Sequence, residues 1–196
     1  MLLKDLNILN ENIEFPESVL NYINEHCQPY LDAIGHNMTG RLLYRGVSRS
    51  LIGRLPAMPE LPNCSIVPGH YDNRKPRDTH PDVHNEMNRM FNEYHGAPFR
   101  NGLFVTGSLK EAKSYGEAIV IFPIGKFKYC WSPTITDLSD HVPGGANSVF
   151  DQEKLTEKLD KMFSLYYKTT DLKNAIFSEN EIMLYCDKCL MYIPGG

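Results

Sequence analysis

The chain has 196 residues, of which 42% are hydrophobic and 22% charged, and a formal net charge of -4. That is enough chain to bury a core without staples, and the charge gives no global basic field, so a nucleic-acid partner would need a local patch. The five cysteines are an odd number in a chain too long to depend on disulfides, and they read as reduced thiols of a cytoplasmic protein. Met1–Asp5 shows no basic region followed by an apolar core, and no apolar run is long enough to span a membrane, so neither a secretory leader nor a membrane partner is expected.

From Glu17 to Ile34 the apolar residues fall at three- and four-residue steps, which predicts an amphipathic helix entered through Pro16 and stopped by Gly35. Pro29 is placed to kink or split it. Arg41–Val47 reads as a strand ending near Gly46, with Arg45 on the same face as Leu43. A charge inside an apolar strand needs a partner. Arg45 is therefore either an edge residue reaching solvent or an anion clamp, whose planar fork suits a phosphate. Ser48–Lys75, with prolines at 56, 59, 62 and 68, reads as irregular loop, followed by the small basic cluster Arg74, Lys75 and Arg77.

Pro81–His95 reads as a second amphipathic helix, with Thr79 as its cap and Gly96 as its stop. His80 and His84 stand four apart, but with no third ligand in view no metal site is expected. Leu103–Thr106 reads as a short strand. Ser108-Leu109-Lys110-Glu111 then matches a capping box, so a short helix opens at Ser108 and closes at Gly116. Capping accounts for Ser108 alone. Thr106 and Gly107 point instead to a turn that a ligand approaches closely.

Ala118–Phe122 is expected to be a central strand, Gly125-Lys126 a turn and Phe127–Trp131 a further strand, with the lone tryptophan in the core. Pro143-Gly144-Gly145 reads as a mobile loop. Asp151–Lys168 reads as a third helix with Leu155, Leu159, Met162, Phe163 and Tyr166 inward. Glu181–Tyr185 and Leu190–Ile193 are expected to form a hairpin around Cys186-Asp187-Lys188-Cys189, its cysteines flanking a tight turn rather than binding zinc.

Just ahead of that last apolar segment stands Glu179-Asn180-Glu181. In an extended chain residues two apart share a face, so both carboxylates could look into one pocket. Paired carboxylates can stabilise a sugar cation and orient a nucleophile.

Three elements now stand in order: Leu43-Tyr44-Arg45-Gly46, Phe104-Val105-Thr106-Gly107-Ser108, and Glu179-Asn180-Glu181 followed by Ile182-Met183-Leu184. This resembles the ADP-ribosyltransferases of the Arg-Ser-Glu class, which includes bacterial mono-ADP-ribosylating toxins and arginine-specific enzymes. The resemblance runs from about Arg41 to the end of the sequence, with residues 1–40 as a helical lead-in. It departs at Thr106, where the family usually has serine, and at Gly107, where it has threonine. The segment 53–100 is long for the family and reads as a specificity insertion.

The resemblance implies a single α+β domain over 1–196, an ADP-ribosyltransferase-like split β-sandwich with flanking helices, and NAD as co-substrate. Arg45 would hold NAD by a phosphate and the adjoining ribose. Gly46 and Gly102 would offer backbone groups to the nicotinamide amide, with Phe104 and Tyr115 completing the dinucleotide site. Thr106, joined by Ser108, would orient the catalytic carboxylate. Glu181 would stabilise the ribosyl cation as nicotinamide leaves, and Glu179 would position or deprotonate the acceptor. Glu-x-Glu implies protein arginine as acceptor, ahead of a nucleic-acid base, for which the cluster Arg74, Lys75 and Arg77, with Arg100 and Tyr94 near it, leaves room. A bacterial or phage toxin or effector, kept in check by an antitoxin or inhibitor protein, fits this expectation. The competing readings are a non-catalytic NAD-binding module and an interaction protein whose Glu-x-Glu is accidental.

Overall fold

Two long apolar strands organise the molecule, β4 (Glu117–Trp131) and β5 (Ile182–Tyr192), paired antiparallel from Val120↔Tyr192 to Trp131↔Ile182. The computed structural model describes residues 13–76, 79–142 and 152–195. Three shorter strands complete an antiparallel sheet. β1 (Leu43–Val47) lies along the first half of β4. β2 (Cys64–Pro68) and β3 (Leu103–Val105) lie end to end on the free edge of β5. The order is β1-β4-β5-β2, with β3 also on β5. Beyond these ladders, Tyr44 and Thr106 exchange backbone hydrogen bonds of 2.8 and 2.9 Å, so the end of β3 returns to β1.

This corrects two expectations. Gly125-Lys126 is not a turn but a bulge within one strand, since the register shifts between Ile124 and Phe127. Cys186–Cys189 is not a hairpin tip. It continues β5, with Asp187 and Lys188 exposed and the apolar residues on either side buried.

Alternation along the strands serves two cores. Ile182, Leu184 and Trp131 join one, which α1 (Glu17–His26), α2 (Gln28–Ile34) and α7 (Leu172–Phe177) cover. Met183 and Cys130 face the other, which α4 (Pro81–His95) and α6 (Gln152–Tyr166) cover. Pro29 does split the first predicted helix: α1 ends at His26 and α2 restarts with the proline in its first turn, where its missing N–H costs nothing. Gly35 ends α2 in the left-handed region at φ 71°.

The stretch 48–75, expected to be loop, holds the short helix α3 (Arg49–Ile52) and β2. With α4 stacked on α6 through Phe91 and Phe163, whose ring centroids are 4.0 Å apart, the segment 53–100 supplies one sheet strand and the α4 side of the second core. His80, not Thr79, caps α4: its Nδ1 accepts from the Asp82 amide at 3.2 Å. In α6 the inward residues are Leu155, Leu159, Met162 and Phe163. Tyr166 is exposed, and Tyr167 beyond the helix end is buried instead. Pro143-Gly144-Gly145 lies outside the described residues.

Candidate active site

The turn that follows β3 is shaped by what it must approach. A Cβ on Gly107 would stand 1.8 Å from the Ile176 carbonyl oxygen, so only glycine lets this turn pack on α7. Thr106 is thereby set against the segment leading into β5. Its Oγ1 donates to the Glu179 carbonyl at 2.8 Å and accepts from the Ser108 amide at 3.1 Å. Ser108 itself caps α5 (Leu109–Ser114), its Oγ accepting from the Glu111 amide at 3.3 Å, as the capping box predicts. At the start of the sheet, a Cβ on Gly46 would stand 2.2 Å from the Ala112 carbonyl oxygen, so α5 rests directly on β1.

Glu179 has φ 62°, a left-handed conformation that a side chain with Cβ adopts only under constraint. The constraint is visible on both sides: Thr106 holds its carbonyl, and Asn180 Nδ2 donates to the Ser132 carbonyl at 2.9 Å. The two glutamates therefore do not share a face through strand alternation, as expected from their spacing. They precede β5, and the kink at Glu179 sends both to the same cleft.

That cleft has a volume of about 560 Å³, within the range of small-molecule sites. Arg45, Gly46, Phe104, Thr106, Tyr115, Glu179 and Glu181 all line it. Gly102 and Ser108 do not. The Gly102 carbonyl accepts from Arg74 Nη1 behind the lining, and Ser108 is turned to its helix. Tyr115, 67% exposed, stands at the rim.

Glu181 is pinned through its backbone, its amide donating to the Thr136 carbonyl at 3.0 Å. Its carboxylate, 20% exposed, lies 3.5 Å from Arg100 Nη1. Burial raises its pKa from 4.5 to about 7. The Arg100 charge pulls against that rise, Asp137 adds to it and Arg74 opposes it. Arg45 donates from Nη1 to the Phe104 carbonyl at 3.0 Å, and burial lowers its pKa.

Two arginines escaped the sequence reading of the site. The guanidiniums of Arg74 and Arg100 lie 4.4 and 4.5 Å from the centroid of the Phe104 ring, and both residues line the cleft. Burial, Arg45 and Arg100 together bring the Arg74 pKa down to about 10. Arg74 was visible as part of a basic cluster. Arg100 was marked only as a neighbour of that cluster, not as part of the dinucleotide site, and it stands in the 3-10 turn Phe99–Asn101.

No family model, curated protein or solved structure matches this chain. Among the described residues there is no cluster of histidine, cysteine and acidic side chains that could hold a metal, and no helix is long and apolar enough to cross a membrane. A second hollow of about 380 Å³, between Thr134–His141 and α6, contains no carboxylate among its lining residues.

Proposed function

We propose that this protein transfers ADP-ribose from NAD to a macromolecular acceptor, releasing nicotinamide, through an ADP-ribosyltransferase-like split β-sandwich. One observation carries the reading: Arg45, Thr106 and Glu181, contributed by segments far apart in the chain, line one cleft with Glu179. The cleft offers guanidinium donors for a diphosphate and a fixed carboxylate for developing positive charge, which is the donor set that a dinucleotide glycoside needs.

In this reading Arg45 holds a phosphate of the dinucleotide and Tyr115 flanks the nicotinamide. Glu181, ionised, faces the sugar carbon that loses nicotinamide and stabilises its cationic character. Glu179 receives the proton that the acceptor nucleophile gives up as its bond to that carbon forms. Thr106 acts through the backbone: its bond to the Glu179 carbonyl holds the kink that presents both carboxylates. Protein arginine is the acceptor that Glu-x-Glu implies through the resemblance.

The test is nicotinamide release from NAD in the presence of cell protein, comparing wild type with Glu181→Gln. Release that falls by about a hundredfold or more in the variant supports the reading, by analogy with loss of one transition-state contact. Equal release, or none from either protein with protein and nucleic-acid acceptors, refutes it.

A further inference from the structure

Two residues of segment 74–100 line the cleft while carrying a buried nitrogen with no partner. These are His84, through Nδ1, and Arg100, through Nε. His84 is 4% exposed and Arg100 8%. An unpaired buried donor is costly, and native folds seldom keep two beside one cleft unless something else satisfies them.

The hydrogen bonds around His84 bear on which ring nitrogen carries the proton. Asn88 Nδ2 donates to Asn101 Oδ1 at 2.9 Å and lies 3.1 Å from His84 Nε2, which is itself 3.2 Å from Asn101 Oδ1, while Asn88 Oδ1 has no partner. Nε2–H would donate to Asn101 Oδ1, whereas the tautomer in which Nε2 accepts from Asn88 carries its proton on Nδ1 and makes that nitrogen a neutral donor; the subsite uses the second. Burial lowers the His84 pKa; the Asn101 contact opposes that shift, and the Arg100 and Arg74 charges add to it. Arg74 adds a second guanidinium, held on Phe104 beside Arg100. Like charges gathered in this way repel, and the carboxylate within reach, Glu181, is partly protonated near neutral pH.

We propose that Arg74, His84 and Arg100 form a phosphate-ester subsite beside Glu181, next to Arg45 in the same cleft. Two guanidiniums and a neutral imidazole N–H supply donors to a tetrahedral oxyanion, and the forked geometry of arginine favours phosphate over a single-point anion. The phosphate can come from the dinucleotide's own diphosphate or from the backbone of a nucleic-acid acceptor. The subsite rests on the ADP-ribosyl-transfer reading only for what the bound phosphate is used for, because binding needs no turnover.

The experiment is calorimetric titration of the full chain with ADP-ribose, with a short single-stranded oligodeoxynucleotide and with inorganic phosphate. It compares wild type, Arg74→Met, His84→Ala and, as a surface control, Arg89→Met. Arg89 lies on the outer face of α4, paired with Glu86 and Glu93. Arg74→Met changes a half-buried loop residue, so it keeps the test alive if His84→Ala fails to fold. The expected result is binding weakened by about ten- to a hundredfold in both variants and unchanged in the control, the range for one charge-assisted hydrogen bond. Loss confined to ADP-ribose assigns the subsite to the dinucleotide. Loss confined to the oligonucleotide assigns it to a nucleic-acid acceptor. Unchanged affinities, or wild type binding none of the three ligands, overturn the subsite. Nicotinamide release by wild type against Glu181→Gln reports separately on the transfer reaction.

Discussion

Glu181→Gln is expected to make the protein more stable at alkaline pH while abolishing transfer. The carboxyl pKa rises from 4.5 to about 7 on folding. At about 1.4 kcal/mol per pKa unit, that difference is roughly 3 kcal/mol. The sign follows from which state holds the proton more tightly. A group whose folded pKa lies above its unfolded one contributes stability that is fully present below the unfolded pKa, here 4.5. That contribution is lost as pH rises through about 7. Above that range wild type retains a buried carboxylate that Arg100, at 3.5 Å, only partly offsets. Glutamine carries no charge to desolvate, but its amide needs partners, which reduces the gain to about 1–3 kcal/mol. For a chain of this size that corresponds to a melting temperature higher by about 2–12 °C at about pH 8.5, with little change at about pH 5. Differential scanning calorimetry at both pH values is the assay. An equal gain at both, or a lower melting temperature for the variant at the higher pH, would refute the argument that burial of the charge raises this pKa. The proposed transfer, in which Glu181 acts ionised, should show the opposite trend, rising about tenfold per pH unit to a plateau above about 7.

Thr106→Val removes the donor to the Glu179 carbonyl and should cost about 1–2 kcal/mol in urea unfolding, with Thr106→Ser restoring most of it. Transfer should fall further than stability implies, since the bond holds the kink that presents both carboxylates. Glu179→Gly relieves the left-handed backbone at φ 62°, so stability should be unchanged or gain up to about 1 kcal/mol while transfer to acceptor drops. Gly107→Ala places a Cβ 1.8 Å from the Ile176 carbonyl oxygen and should cost about 3 kcal/mol or more by the same unfolding assay. All five cysteines are buried free thiols, so a thiol reagent should react slowly with the native protein and titrate five groups in guanidinium.

What the sequence made legible was whatever is written locally. The steps of Val19, Ile23 and Ile34 marked helix, Ser108 and Glu111 marked a capped start, and the apolar run at 118–122 marked a buried strand. Arg45, Thr106, Glu179 and Glu181 could be selected because each stands in a short recognisable context, and the structure brings all four to one cleft. What failed was read from polarity alone. Asp187 and Lys188 looked like a turn, but they are exposed residues of an unbroken strand flanked by buried cysteines. Gly125 looked like a chain reversal, but an extra residue in β4 is absorbed as a bulge because the pairing with β5 continues on both sides. Arg100 was out of reach for a different reason. Its role depends on Phe104, His84 and Glu181 being neighbours, and only the pairing of β3 with β5 makes them so.

Among the described residues, the strand at the middle of the sheet is also the latest in the chain. β5 follows every other strand in the chain, yet β4, β2 and β3 all hydrogen-bond to it. A nascent chain that stops short of β5 leaves β2 and β3 without their ladder partner and has no strand to anchor the segment around Glu181. The cleft therefore cannot assemble piecemeal: its carboxylate end is fixed only once β5 has paired with β4 and β3.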